Sequence, residues 1–115
     1  MTIHRFTSSD GVRLAYESFG ELNVGRPIVL CHGIAVNGLQ FHDDAAWLAA
    51  HGHRVLVPHL RGHGLSDSPD PVTPESVTIE RLAADLIEML DHAHAPRVHW
   101  VGNSLGGIVA LAMLK

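Results

Sequence analysis

A chain of 115 residues with a net charge of −4 suits one small domain, and its eight cationic side chains are scattered along the sequence. Such a balance offers no basic stripe for a nucleic-acid backbone. With 46% hydrophobic residues the chain can bury a core, yet no apolar run nears the length of a membrane span. We therefore expect neither a nucleic-acid partner nor a membrane partner.

The first residues, MTIHRFTSSDG, lack the apolar stretch of a secretory signal peptide. Cys31 is the only cysteine, so no internal disulfide can form, which fits a reducing compartment. Together these features favour a cytoplasmic location.

The predicted elements begin with a hairpin over residues 3–19, in which Asp10-Gly11 supplies the turn signal. The continuous apolar run Ile28–Cys31 is too short for a helix and suits a strand covered on both faces. Residues 41–52 predict a short helix, with two aspartates near its start and a glycine at its end.

A second buried strand is predicted over Arg54–Pro58, and a polar loop follows over residues 59–76. The clearest helical pattern comes next. Apolar residues recur at helical spacing from Ile79 to Leu90, and Thr78 precedes them as the predicted N-cap. The segment RVHWVG, residues 97–102, predicts a third buried strand, and the apolar run Ile108–Leu114 predicts another helix after it.

After the hairpin, strands and helices alternate, which predicts an α/β fold with a mostly parallel sheet. Three glycine-rich corners, at residues 32–38, 61–64 and 102–107, each follow a predicted strand. Since ligands bind at the carboxyl ends of the strands in such sheets, we expect these corners to share one edge and to form the site.

The corner Gly102-Asn103-Ser104-Leu105-Gly106 matches G-x-S-x-G, the nucleophile elbow. A serine on a tight strand-to-helix turn projects its hydroxyl out of the sheet, and side chains two positions before or after it would collide with backbone. The pattern therefore predicts Ser104 as the catalytic nucleophile, with the Leu105 N–H as an oxyanion donor. The alternative is a turn that serves only close packing.

A second oxyanion donor is expected from the corner after the third strand, CHGIAVNG. Gly33 permits close backbone approach, and the Ile34 N–H is the natural candidate. We expect His32 to hold this loop through its ring nitrogens rather than to act as a base.

The segments LCHG, PHLRGHGLSD and GNSLGG occur in the order and spacing of α/β-hydrolase fold proteins, and the chain resembles the N-terminal part of that superfamily. The elbow is similar to those of meta-cleavage product hydrolases (C–C bond hydrolases), esterases, enol-lactonases and cofactor-free perhydrolases. A serine there disfavours the dehalogenase and epoxide hydrolase branches, which use aspartate. The resemblance implies a serine hydrolase that acts on a small ester, lactone or related carbonyl substrate through an acyl-enzyme, without a metal or organic cofactor. It also implies supporting roles at the elbow for Asn103 and Gly107.

In that superfamily an acid and a histidine follow the nucleophilic serine, and residues 105–115 contain neither. We therefore expect residues 1–115 to be a single incomplete core domain, without the lid and C-terminal strands, truncated and inactive by itself. A rewired triad using His32, His59 or His63 is one alternative. A non-catalytic small-molecule binding module is the other.

Two further expectations concern metals and partners. The pairs His51/His53 and His92/His94 have no third ligand at a convincing spacing, so no metal site is expected. The strand before the elbow would have no strand to pair with on one side, so self-association through that sheet edge is expected.

Overall fold

The structure, a computed structural model, describes residues 1–114. Within that range five strands form one sheet: β1 (Thr2–Thr7), β2 (Arg13–Phe19), β3 (Ile28–Cys31), β4 (Val55–His59) and β5 (His99–Gly102). Three α-helices accompany them: α1 (His42–Ala50), α2 (Ile79–His92) and α3 (Leu105–Met113). Short 3-10 turns occupy Gly38–Phe41 and Pro74–Val77. None of the helices described is both long and apolar enough to cross a bilayer.

The strand order in the sheet is β1-β2-β4-β3-β5. β3 runs parallel to both of its neighbours, whereas β2 is antiparallel to β1 and to β4. The prediction of alternating strands and helices is confirmed. The strands after the hairpin are parallel as expected, and the antiparallel hairpin makes the whole sheet mixed.

Helices cover both faces of the sheet, which explains why β3 and β4 are continuous apolar runs. On one face α2 and α3 pack on the strands through a cluster that includes Val29, Met89 and Val109. On the other face α1 packs through a second cluster that includes Leu30 and Ala45. Successive side chains of β3 thus pack into opposite core layers, because side chains alternate between the two faces along a strand.

Helix ends follow local sequence signals, with small shifts from the predicted bounds. The Thr78 hydroxyl accepts a hydrogen bond from the Arg81 N–H at 3.0 Å, which confirms the predicted N-cap of α2. α3 begins at Leu105, directly after the glycine-rich corner, rather than at the apolar run from Ile108. The strand predicted from Arg97 begins two residues later.

The prediction that residues 97–102 form a buried strand is wrong for the residues described. Val101 is 49% exposed and His99 is also exposed, while Trp100 is half-buried. β5 ends the sheet and pairs with β3 alone within residues 1–114, so its other edge and part of one face lack a covering element. An apolar pattern reports what a strand can bury and does not report whether a neighbour is present.

Candidate active site

Ser104 lies at the junction between β5 and α3, with an exposed side chain. Its φ of 53° and ψ of −112° place it in a strained region that residues with a Cβ rarely adopt. Although Ser104 is the N-cap residue of α3, its side chain makes no capping hydrogen bond. The hydroxyl is therefore presented to the surface rather than used to stabilise the helix.

The glycines on either side of Ser104 have no room for a side chain. A Cβ on Gly102 would meet the amide nitrogen of Gly107 and would lie 2.5 Å from the carbonyl carbon of Gly106. A Cβ on Gly106 would fall against the carbonyl oxygen of Cys31 and would lie 2.9 Å from that of His32. Strand, elbow and helix are thus in backbone contact, which is the steric requirement expected from the spacing. Gly107 is less confined, since a Cβ there would lie 3.6 Å from the Gly102 oxygen.

The loop after β3 lies directly against the elbow. The Asn103 N–H donates to the Cys31 carbonyl at 3.0 Å, so the two strand ends are linked through the backbone. A Cβ on Gly33 would lie 3.1 Å from the Asn103 oxygen and 3.4 Å from the Cβ of Ser104. Two of the three predicted corners therefore meet at Ser104.

Two backbone amides near Ser104 carry no protein acceptor. Among residues 1–114, neither the Ile34 N–H nor the Leu105 N–H donates a hydrogen bond within the chain. The Leu105 N–H belongs to the first turn of α3, where the aligned peptide dipoles favour negative charge. Neither amide therefore has an acceptor among the described residues.

His32 is fully buried, and both of its ring nitrogens are engaged. Nδ1 donates to the Gly33 carbonyl at 2.7 Å, and Nε2 accepts from the Leu60 N–H at 3.0 Å. Burial lowers the pKa of His32, which fits a neutral ring. The imidazole thus ties the loop after β3 to the end of β4.

His59 and His63 are engaged in the same way. Nε2 of His59 donates to the Glu17 carboxylate at 2.7 Å, and its Nδ1 accepts from the Leu65 N–H at 3.3 Å. Nδ1 of His63 donates to the Arg61 carbonyl at 2.9 Å, and its Nε2 accepts from the Ala35 N–H at 3.2 Å. The ring centroids of His32 and His63 lie 5.2 Å apart. All three rings thus crosslink separate segments of the chain through both of their nitrogens.

Glu17 is a buried carboxylate beside this group that sequence reasoning missed. Its side chain is 2% exposed on β2, and His42 Nε2 lies 2.8 Å from its second oxygen. Burial opposes ionisation, but the hydrogen bonds from His42 and His59 outweigh it, and the pKa of Glu17 is lowered. An acidic residue within a predicted hairpin strand was the available signal, because a charge that the fold buries requires partners.

Arg61 forms a second buried ionic group that sequence reasoning missed. Its fully buried guanidinium makes paired hydrogen bonds to Asp85 at 2.6 and 2.8 Å, and to Asp10 at 2.8 and 2.9 Å. The hydrogen bond from Arg61 favours the charged Asp10 carboxylate more than burial opposes it. The pKa of Asp10 therefore lies well below its usual range. These bonds fix the loop after β4 to α2 and to the β1–β2 turn.

The described part of the chain contains no set of side chains arranged as metal ligands. No three His, Cys, Asp or Glu side chains among residues 1–114 come together as metal ligands. Cys31 is buried, and burial raises the pKa of its thiol to about 12, so it is held as the neutral thiol.

Known proteins resemble this chain both in sequence and in structure. The profile of the alpha/beta hydrolase fold matches residues 26–115. Epoxide hydrolase A of Mycobacterium tuberculosis is 38% identical over 91% of this chain and 32% of its own length. A non-heme chloroperoxidase of Streptomyces lividans is 35% identical over 88% of this chain and 35% of its own length. An esterase structure from Exiguobacterium antarcticum superposes with a TM-score of 0.83 at 28% identity, covering 96% of this chain and 38% of that one.

The chain spans about a third of the length of the curated relatives it matches. With its elbow, strand order and family match in agreement, the chain belongs to the alpha/beta hydrolase fold family.

Proposed function

We propose that this chain carries the nucleophile and the oxyanion donors of a serine hydrolase that acts on an ester, lactone or related carbonyl. The observation that carries the proposal is Ser104, exposed and strained between two glycines that admit no side chain. Backbone strain persists only where surrounding structure enforces it, and it concentrates at functional sites. A turn that served packing alone would not require an exposed hydroxyl at its apex.

The chemistry follows from the two sets of groups around the elbow. Ser104 Oγ attacks the substrate carbonyl carbon while a general base takes the hydroxyl proton. The carbonyl oxygen becomes an oxyanion, which accepts hydrogen bonds from the Leu105 and Ile34 N–H groups. Collapse expels the alcohol, protonated by the same base, and leaves an acyl-enzyme. Water then attacks the acyl group, releases the acid and restores the serine.

The base itself is proposed to lie outside residues 1–115. His32, His59 and His63 each have both ring nitrogens committed to backbone or carboxylate partners, so none is free to take the Ser104 proton in this arrangement. The relatives are about three times longer than the chain, which leaves room for a base and its carboxylate partner elsewhere in them. We therefore propose that residues 1–115 alone are inactive.

Epoxide hydrolysis is the second candidate, because a relative named as an epoxide hydrolase is 38% identical. The nucleophile argues against it. A carboxylate that opens an epoxide forms an ester, which water can cleave, whereas a serine hydroxyl would form an ether that water does not cleave. Ser104 therefore favours attack on a carbonyl. C–C bond hydrolysis and cofactor-free perhydrolysis would use the same serine and oxyanion donors.

The test compares Ser104→Ala with Ser68→Ala, an equal change at an exposed serine of the polar loop. The polypeptide of the complete reading frame is assayed with p-nitrophenyl acetate and with styrene oxide. We expect ester turnover in the wild type and in Ser68→Ala, none in Ser104→Ala, and an acetyl adduct on the Ser104 peptide by mass spectrometry. Undiminished ester turnover in Ser104→Ala would reject the nucleophile, and turnover of the epoxide alone would favour the second candidate. Absence of both activities, with retained ligand binding, would favour a binding module.

A further inference from the structure

His63 lies in the polar loop after β4, and its ring reaches across to the turn that contains Ile34. Its Nε2 lies 3.2 Å from the amide nitrogen of Ala35, and its Nδ1 lies 2.9 Å from the carbonyl oxygen of Arg61. An amide N–H can only donate and a carbonyl oxygen can only accept, so the proton must sit on Nδ1 and Nε2 must be bare. The ring is therefore neutral and holds one defined tautomer.

The turn that accepts this contact with His63 is strained at Ala35, the residue whose N–H donates to the ring. Ala35 has a φ of 63°, a left-handed conformation that is unfavourable for a residue with a Cβ. Its neighbour Ile34 has an N–H with no acceptor among the described residues, and Gly33, next to Ile34, lies against the elbow. Ile34 and Ala35 are consecutive residues of the same short turn.

We propose that His63 is a positioning residue for the Ile34 oxyanion donor. This inference rests on the proposed function, since it assigns His63 a part in the same reaction. Protonation of Nε2 converts it from an acceptor to a donor, which breaks the bond to Ala35 and releases the turn. The oxyanion donor is then held in place only while His63 is neutral.

The nearest ring to His63 that the structure describes belongs to another histidine. The ring centroid of His32 lies 5.2 Å from that of His63, and the ring of His59 lies 6.3 Å from that of His32. Arg61 presents its carbonyl to the ring, while its guanidinium is bound to carboxylates elsewhere. No carboxylate lies within ion-pair distance of His63 among residues 1–114.

The experiment uses two substitutions at His63 in the polypeptide of the complete reading frame. His63→Phe keeps a flat ring beside His32 but removes the acceptor, whereas His63→Gln retains an oxygen that can accept from Ala35. His53→Gln and His53→Phe are matched controls, because His53 is exposed and precedes the opposite end of β4. For p-nitrophenyl acetate we expect kcat to fall about 10- to 100-fold in His63→Phe at nearly unchanged KM. We expect partial recovery in His63→Gln and no change in the controls.

An NMR titration supplies a readout that does not depend on turnover. We expect the nitrogen shifts of His63 to report the Nδ1–H tautomer, and the Ala35 and Ile34 amide shifts to titrate with its ring. That titration should vanish in His63→Phe. Wild-type kcat in His63→Phe, equal kcat losses in the Phe and Gln variants, or amides that ignore the state of His63 would overturn the proposal. If Ser104→Ala remained active, the proposed function would fail, and the amide titration would still decide whether His63 holds the turn.

Discussion

Gly106 and Cys31 meet at backbone contact, because a Cβ on Gly106 would fall against the Cys31 carbonyl oxygen and lie 2.9 Å from its carbonyl carbon. This contact seats the first turn of α3 on the end of β3. It also explains how the elbow and the loop at Gly33 come to lie side by side.

Substitution of Gly106 should therefore destabilise the fold as well as the site. We expect Gly106→Val to lower the free energy of unfolding by about 1–3 kcal/mol, because backbone on both sides of the contact must shift. Gly106→Ala should act in the same direction. Gly107→Ala is the control, since its Cβ would lie at ordinary contact distance in the same helix. Urea denaturation measures both, and equal stability of the two alanine variants would show that the contact is not tight.

The buried pair of Arg61 and Asp85 should dominate the stability of the loop after β4. Asp85→Ala leaves a buried guanidinium with Asp10 as its remaining paired carboxylate, so we expect a loss of about 3 kcal/mol in urea denaturation. Asp91→Ala removes an exposed carboxylate from the same helix and should change stability by less than about 0.5 kcal/mol. Similar losses in the two variants would contradict the assigned role of Asp85.

Stability should fall as the medium becomes acidic. The pKa of His32 is lowered from 6.5 in the folded chain, so below that value the unfolded state binds a proton that the folded state does not. The stabilisation from the neutral ring is thus fully present above pH 6.5 and is lost as the pH falls through that value. The lowered pKa of Glu17 adds a second loss below its ordinary value of 4.5.

Urea midpoints measured between about pH 8 and pH 5 test this expectation. His32→Gln should be less stable at neutral pH and show a shallower dependence on pH, whereas His53→Gln should keep the wild-type slope. A wild-type midpoint that does not change over this range would contradict the assignment of a neutral, buried His32.

The isolated 115-residue chain should self-associate through β5. The outer edge of β5 has no pairing strand among the described residues, and Val101 is 49% exposed on it. An apolar cleft of about 310 Å³, lined in part by Leu30 and Trp47, adjoins that edge. Unpaired backbone beside apolar surface promotes association with a second copy.

Size-exclusion chromatography of the isolated chain tests this point. We expect oligomers or aggregates in the wild type and a shift toward monomer in Val101→Lys, because a charge on an edge strand opposes pairing. Val72→Lys, an equal change at an exposed valine of the polar loop outside the sheet, should not produce that shift. A monodisperse wild-type monomer would refute the argument.

Much of the framework follows from the sequence alone, because its signals are local. The apolar run Ile28–Cys31, the cap at Thr78 and the G-x-S-x-G corner each lie within a few neighbouring residues. Steric and hydrogen-bonding preferences act over that distance, so they predict strands, a helix start and a strained serine. They also predict which loops follow strand ends.

The contacts that hold the site were decided only by the tertiary structure. His63 and Ala35 are 28 residues apart, Arg61 and Asp85 are 24 apart, and His59 and Glu17 are 42 apart. These partners meet because β2 and β3 flank β4, and because α2 packs on one face of that sheet. Local patterns cannot specify such pairs, since a buried charge or a bare imidazole nitrogen acquires its partner only when distant segments of backbone are brought together.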